Sequence, residues 1–284
     1  MGLLFSLIKN INAKRMNRDL IGYSLEETVG PITSKDVKAY AEATRDTNSE
    51  YGNENAIVPP IFGSKLIYPQ LKKIMTHGKL KLNLLKMVHG QQEMIWHKPM
   101  KVGDTLQIKA FIKDIYDIPI GEMIEITGQG YKDGELLAEA TIGFLVKGKR
   151  NENAKKFEEV KRHDEAFKLT IETKEGQQLQ YAKASGDNNF IHTSTILAKI
   201  AGLPRTIMQG ICVLAMCNDA LMKKTVAGDL QKLGKIFCRF ARPVLPGDTL
   251  TLVAFKTDNK NVLAFDVYNH KDQQVIKNGL FTHK

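Results

Sequence analysis

Cysteine is scarce in this 284-residue chain: there are three, Cys212, Cys217 and Cys238, and their spacing follows no metal-ligand pattern. An odd, sparse set excludes a disulfide framework and points to a reducing compartment, so the expected address is the cytoplasm. Long apolar runs are also lacking. Nowhere do eighteen apolar residues follow one another, which excludes a bilayer-spanning helix and, with it, stable membrane insertion. The longest apolar opening, Gly2 to Ile8, has no basic flank before it and no small-residue cleavage pattern after it, so it does not read as a signal peptide. Met1-Gly2 with Ser6 fits the permissive N-myristoylation pattern; a short helix docked on the body is the plainer reading. The final Thr282-His283-Lys284 is not a peroxisomal address of the Ser-Lys-Leu type.

What is present is ordinary globular material, 43% hydrophobic and 25% charged, enough for one large or two medium cores. The formal net charge of +10 suits an anionic partner. Nucleic acid is not expected to be that partner, because the basic residues are spread along the chain, without a stripe of interleaved aromatics or a recognisable binding motif. The phosphates of coenzyme A or an acidic carrier protein would use the same charge.

The chain repeats itself. Tyr40-Ala41-Glu42-Ala43-Thr44-Arg45-Asp46-Thr47-Asn48 aligns with Tyr181-Ala182-Lys183-Ala184-Ser185-Gly186-Asp187-Asn188-Asn189, matching at Tyr, both Ala, Asp and Asn. Trp96-His97-Lys98-Pro99-Met100-Lys101-Val102-Gly103-Asp104-Thr105-Leu106 then aligns with Phe240-Ala241-Arg242-Pro243-Val244-Leu245-Pro246-Gly247-Asp248-Thr249-Leu250 at nearly the same offset. Two blocks in the same order at one spacing indicate a duplicated domain. The seam falls in the charged stretch Lys147 to Glu165, giving an N-terminal repeat over 1–150, a linker over 151–165 that is part helical, and a C-terminal repeat over 166–284.

Local signals agree between the copies. Thr33 or Ser34 is a good N-cap for a helix through Tyr40, and Thr173 stands in the equivalent place before Tyr181. The Gly-Asp-Thr-Leu turns launch strands over 106–111 and 250–255, with further strands around 123–131, 136–146, 262–267 and 275–281. Ile207 to Met222 is apolar nearly all round and long enough for a buried helix. Each copy is therefore a helix followed by an antiparallel sheet around a central apolar helix, an α+β pattern.

In the second copy, Ser185-Gly186-Asp187-Asn188-Asn189-Phe190-Ile191-His192 places a carboxylate, an amide and an imidazole within six residues. Gly186 supports a chain reversal after the Tyr181 helix, so Asp187 and His192 fall on a connecting loop. Gly210, eighteen residues after His192, falls in the first turns of the apolar helix, where an accessible backbone N–H and the helix dipole suit a carbonyl oxygen gaining negative charge. One such donor contributes ~3 to 4 kcal/mol. Each residue also has a plainer reading: Asp-x-Asn as turn chemistry, His192 as a structural hydrogen bonder, Gly210 as a close-packing residue.

Taken together, Tyr181-Ala-Lys-Ala-Ser-Gly-Asp187-Asn-Asn189-Phe-Ile-His192, with Ala198, Gly202 and Ile207-Met-Gln-Gly210, resembles the motif of the MaoC-like (R)-specific enoyl-CoA hydratases, the hydratase-2 group, and the duplication resembles their two-repeat members. Phe190 departs from the proline usual in that family, which bears on the stiffness of the loop. The resemblance implies a double hot-dog fold and reversible addition of water across the 2,3 double bond of an acyl thioester, with no metal and no redox cofactor. It implies that Asp187 and His192 hold the water, that Asn189 orients it or the pair, and that the N–H of Gly210 receives the thioester oxygen. Arg242 is a candidate phosphate contact, although its repeat partner Lys98 argues for a role at a strand edge.

The first copy keeps Asp46 and Asn48 but carries Tyr51 at the His192 position, and a phenol titrating near ~10 is a poor base at neutral pH. The N-terminal site is thus expected to be degenerate and to serve acyl-chain binding. Fifteen positions separate Asn48 from Gly63, against twenty-one between Asn189 and Gly210, and the missing piece opens space for a tail. A 3-hydroxyacyl-[acyl-carrier-protein] dehydratase is the near alternative, a non-catalytic acyl-thioester-binding protein or a thioesterase the more distant ones. Two fused copies allow a monomer, and a homodimer is equally compatible.

Overall fold

The computed structural model describes residues 10, 12–48, 51, 53–154 and 157–284, so the Gly2 to Ile8 opening and the acylation pattern at Gly2 lie outside the described residues. The order of elements runs twice. The first pass is β1 (Ser24–Val29), α1 (Ser34–Thr44), α2 (Gly63–Met75), β2 (Met87–Trp96), β3 (Leu106–Ile118), β4 (Gly121–Lys132) and β5 (Glu135–Lys147). The second is β6 (Glu165–Glu172), α3 (Gln177–Ser185), the short α4 (Phe190–Thr193) and α5 (Thr195–Ile200), α6 (Gly210–Val226), β7 (Leu233–Phe240), β8 (Thr249–Lys256), β9 (Val262–Tyr268) and β10 (Gln274–His283).

All ten strands form one antiparallel sheet in the order β1-β3-β4-β5-β2-β7-β10-β9-β8-β6, so the second half mirrors the first across the β2–β7 pair. That pair runs in register from Gln91 opposite Arg239 to Ile95 opposite Lys235. Alternation makes the strands: in β3, Leu106, Ile108, Ala110 and Ile112 are buried while Gln107 and Lys109 face outward or partly outward. α2 buries Leu66, Ile67, Gln70, Leu71 and Ile74, a helical stripe at spacings of three and four. A Cβ on Gly128 would lie 2.5 Å from the Ile67 side chain, so the absence of a side chain there lets α2 settle directly on β4. At the junction of the halves, α1 and α3 bring the Tyr40 and Tyr181 hydroxyls to 3.2 Å.

The expected strands over 106–111, 123–131, 136–146, 250–255, 262–267 and 275–281 all lie within β3, β4, β5, β8, β9 and β10. Three local expectations require correction. The apolar helix begins at Gly210, not Ile207: residues 207–209 are extended, with Ile207 N–H donating to Ile191 O at 3.1 Å and Met208 N–H to Val244 O at 2.8 Å. Thr33 does cap α1, its hydroxyl accepting from Asp36 N–H at 3.1 Å, but Thr173 caps nothing; its hydroxyl donates to Asp248 O at 2.9 Å, and Gly176 at φ 79° opens α3 instead. The stretch between β5 and β6 contains no helix among the described residues. The edge strands β1 and β6, each preceding its helix, and the central β2 and β7 add to the sequence-based pattern.

Candidate active site

The second-copy loop is built by its own side chains. α3 ends at Ser185, and Gly186 at φ 83° reverses the chain. The Ser185 hydroxyl accepts from Asp187 N–H at 3.2 Å, and Asp187 Oδ1 accepts from Asn189 N–H at 3.3 Å, a local turn of the kind Asp favours. Asn189 in turn caps α4, its side-chain oxygen accepting from Ile191 N–H at 3.4 Å. The turn-forming reading of Asp187 and Asn189 is therefore real, and for Asn189 it uses the side-chain oxygen.

His192 is almost fully buried, at 7% exposed. Its Nδ1 lies 2.9 Å from Ile207 O. A carbonyl only accepts, so Nδ1 carries the proton and Nε2 presents a lone pair. Burial lowers the pKa of the ring, and the neighbouring Asp187 carboxylate pulls it back up. No hydrogen bond from the described residues reaches His192 Nε2 or Asp187 Oδ2, so one acceptor on each side chain is available to something that is not protein.

The extended segment before α6 ties the third group to these two. The Gln209 side-chain amide donates to Gln178 O at 3.0 Å and to Asp187 O at 3.4 Å, joining the start of α6 to the Asp187 loop. Gly210 is the first residue of α6, so its N–H has no acceptor within the helix. A Cβ at Gly210 would come within 2.9 Å of the Phe240 ring. The structure thus brings Asp187, Asn189, His192 and Gly210 into one neighbourhood. It places Arg242 just beyond β7, largely exposed, with its guanidinium donating to Gln274 O at 3.3 Å.

Two further groups come from the first half, and neither was singled out in the sequence. Tyr68 on α2 donates its hydroxyl to Asp187 Oδ1 at 3.0 Å. His89 on β2 packs against Phe240, ring centroids 4.6 Å apart, and its pKa is pushed down to about 4 by burial, with Asp187 opposing and His192 adding to the shift. Position 89 aligns with Leu233 at the offset that pairs Trp96 with Phe240, so an unrepeated imidazole in a sheet strand was the available signal. For Tyr68, a half-buried aromatic on an amphipathic helix, there was none.

The equivalent place in the first half has the same backbone and different chemistry. Asp46 Oδ1 accepts from Asn48 N–H at 3.2 Å, and Tyr51 N–H donates to Asn48 O at 3.3 Å, as His192 N–H does to Asn189 O at 2.9 Å. Tyr51 hydrogen-bonds Asp46, and Asp219 from α6 of the other half stands close by. Burial and then the Asp219 charge raise the Asp46 carboxyl to about 6. The six-residue difference in loop length equals the six residues of α5, which has no counterpart among the described residues of the first half.

Comparison with known proteins adds an independent line. Residues 156–277 match the model of the MaoC like domain, and residues 19–140 match the FAS1-like dehydratase domain region. The chain is 29% identical over 187 residues to 3-hydroxyacyl-thioester dehydratase Y of Mycobacterium tuberculosis, covering 62% of this chain and 64% of that protein. It is 27% identical over 204 residues to the peroxisomal multifunctional enzyme type 2 of Mus musculus, covering 69% of this chain but only 27% of that protein. With the peroxisomal enoyl-CoA hydratase 2 of Arabidopsis thaliana it shares 26% identity over 260 residues, 81% of this chain and 84% of the relative. The chain therefore spans under two thirds of the first two relatives and most of the third. Among solved structures, a MaoC-like dehydratase from Phytophthora capsici superposes with a TM-score of 0.80 at 21% identity, over 94% of this chain and 98% of that one. A Mycobacterium tuberculosis protein described as having a double hotdog fold superposes with a TM-score of 0.58 at 12% identity, over 93% and 96% of the two chains. These two likenesses speak to fold alone. No described helix is long and apolar enough to cross a membrane. With a match to the MaoC like domain on the second half, a match to the FAS1-like dehydratase domain region on the first, and mirrored strands joined in one sheet, the protein is similar to MaoC-like dehydratases and has the double hot-dog fold.

Proposed function

We propose that this protein is a hydro-lyase that reversibly hydrates trans-2-enoyl thioesters to (R)-3-hydroxyacyl thioesters, with its working site in the C-terminal half, 166–284. The observation that carries this reading is the pair of open acceptors, His192 Nε2 and Asp187 Oδ2, in the neighbourhood of an unpaired helix-start N–H at Gly210. Its relatives named for enoyl-CoA hydratase and 3-hydroxyacyl-thioester dehydratase activity support the same chemistry.

In this mechanism a water sits between Asp187 and His192. Its oxygen attacks C3 of the enoyl thioester while one of its protons passes to His192 Nε2, the basic nitrogen left by the Nδ1–H bond to Ile207 O. The electron pair of the double bond moves onto the thioester oxygen, which the Gly210 N–H receives. The adjacent Asp187 carboxylate stabilises the imidazolium so formed. The imidazolium then returns the proton to C2, which completes the addition of one water and restores the neutral ring; dehydration is the same path reversed.

The N-terminal half, 1–150 with the linker 151–165 behind it, has the acyl tail as its ligand in this reading. A narrow apolar cleft between α2 and the sheet, bordered by Leu66, Ile67, Met94, Met100 and Ile108, supports the assignment. It is nearly closed, so a tail enters by displacing the two flexible methionines. The thioester is carried by coenzyme A, and the +10 charge suits its phosphates as well as an acidic carrier protein. The test is a chiral product assay on crotonyl-, decenoyl- and hexadecenoyl-CoA. (R)-3-hydroxyacyl product is expected, with kcat/KM rising from the shortest substrate to the longer ones. Formation of the (S) product defeats the stereochemical assignment, and release of free CoA from a saturated acyl-CoA in place of hydration defeats the hydro-lyase assignment; a preference for crotonyl-CoA defeats only the tail assignment.

A further inference from the structure

Resting on that reading of the C-terminal site, we infer that Tyr68, a residue of the N-terminal half, is a positioning residue for Asp187 and that the site is incomplete without it. Tyr68 stands on α2, the central helix of the half that lacks the histidine, and its hydroxyl crosses to Asp187 Oδ1 at 3.0 Å. The same oxygen takes the Asn189 N–H at 3.3 Å. With Oδ1 held by two donors, rotation about the carboxylate is stopped and Oδ2 is the oxygen left to receive a water. The local turn alone would leave this to one long backbone bond.

The first half shows what the cross-half contact decides. There the local turn is the same, with Asn48 N–H on Asp46 Oδ1, yet the group that arrives from the opposite central helix is Asp219, a second carboxylate. In the working half the group that arrives is a phenol, which donates a hydrogen bond and brings no charge. The phenol does not titrate in the working range, since burial and the facing carboxylate both push its pKa upward. The other titratable groups facing Asp187 are His192 on α4, His89 on β2 and Tyr181 on α3. None of them makes a described hydrogen bond to the carboxylate, so the geometry of Asp187 is set by Tyr68 and the turn.

The test is Tyr68→Phe in the full chain, assayed for kcat and KM with decenoyl-CoA and for its urea midpoint. The ring and its packing are kept and only the donor is lost. A fall in kcat of about tenfold is expected with KM changed less than about threefold, from the magnitude of one hydrogen bond to a charged group. A merely structural tyrosine would move KM along with kcat or lower the urea midpoint without a separate loss in kcat, so an unchanged kcat, or a KM that rises as far as kcat falls, overturns the inference. Asp187→Asn run alongside separates the two possible failures. Activity retained in Asp187→Asn sinks the site and the inference together, whereas activity lost there and untouched in Tyr68→Phe sinks only the role of Tyr68.

Discussion

The two halves present the same turn with opposite electrostatics. Asp46 and Asp187 each follow a helix, each accept the N–H of an asparagine two residues on, and in each loop the residue five positions on donates its N–H to that asparagine's carbonyl. What differs is the company: Tyr51 and Asp219 around Asp46, His192 and Tyr68 around Asp187. Duplication therefore kept the scaffold and the loop hydrogen bonds and changed the side chains around each carboxylate, with Tyr68 and Asp219 arriving from the opposite half. The proposed site is not confined to one half, since Tyr68 on α2 donates to Asp187.

The largest expected effect breaks the comparison outright. Asp187→Asn and His192→Ala should each lower kcat for enoyl-CoA hydration by roughly 10²- to 10⁴-fold, the range for a lost acid–base group, while Asp46→Asn and Tyr51→Phe leave kcat within about twofold. Steady-state kinetics on the four variants checks it, and comparable losses from both sets would mean that the halves are both catalytic. A smaller effect sharpens the contrast between the two helix starts. At Gly210 an added Cβ would meet the Phe240 ring at 2.9 Å, and that ring is pinned against His89. At the equivalent Gly63 the added Cβ would meet the Met100 methyl at 3.2 Å and the Met94 methyl at 3.6 Å, the far ends of flexible chains. Gly210→Ala should therefore reduce kcat by about 10- to 100-fold through displacement of the N–H donor, and Gly63→Ala should change it by less than about threefold. Equal kcat values in the two alanine variants would remove the oxyanion role from Gly210.

Much of this fold is written in short-range patterns. Alternation in Leu106-Gln107-Ile108-Lys109-Ala110 and the Gly-Asp-Thr-Leu turns identify the outer strands, because each is a half-buried surface with its own period. β2 carries Gly90, Gln91, Gln92 and Glu93, which have no strand signature; it is a strand because β5 and β7 flank it on both sides, a long-range fact. Edge strands β1 and β6 are short and mostly exposed for the same reason that they are hard to recognise. At the site, Asp187, Asn189 and His192 were legible as a cluster because they lie within six residues, and Gly210 through its place in the first turns of the apolar helix together with the resemblance. Tyr68 and His89 were not, since each reaches the site only through the pairing of the two halves.

The smallest effect concerns stability rather than rate, and it tests whether the Asp46 pocket really holds a disfavoured charge. The Asp46 carboxyl is raised from 3.8 to about 6 by burial and by Asp219, with Tyr51, the Asn48 N–H and Lys223 opposing the rise. A raised carboxyl binds its proton more tightly in the folded chain than in the unfolded one. Between about pH 4 and pH 6 the folded state therefore holds more protons, stability falls as pH rises through that window, and above pH 6 the full penalty persists. Lys223 Nζ sits 2.7 Å from Asp219 and offsets part of its charge, so the penalty at neutral pH is on the order of 1–3 kcal/mol. Asp46→Asn keeps an oxygen to accept the Asn48 N–H and removes the charge. Its urea midpoint should exceed that of the parent by more at pH 7.5 than at pH 4.5, where Asp46 is neutral in the folded chain and only its ionisation in the unfolded chain still disfavours the parent. A variant less stable than the parent at both pH values would mean that the charge is well accommodated, and the electrostatic contrast between the halves would then rest on Tyr51 and His192 alone.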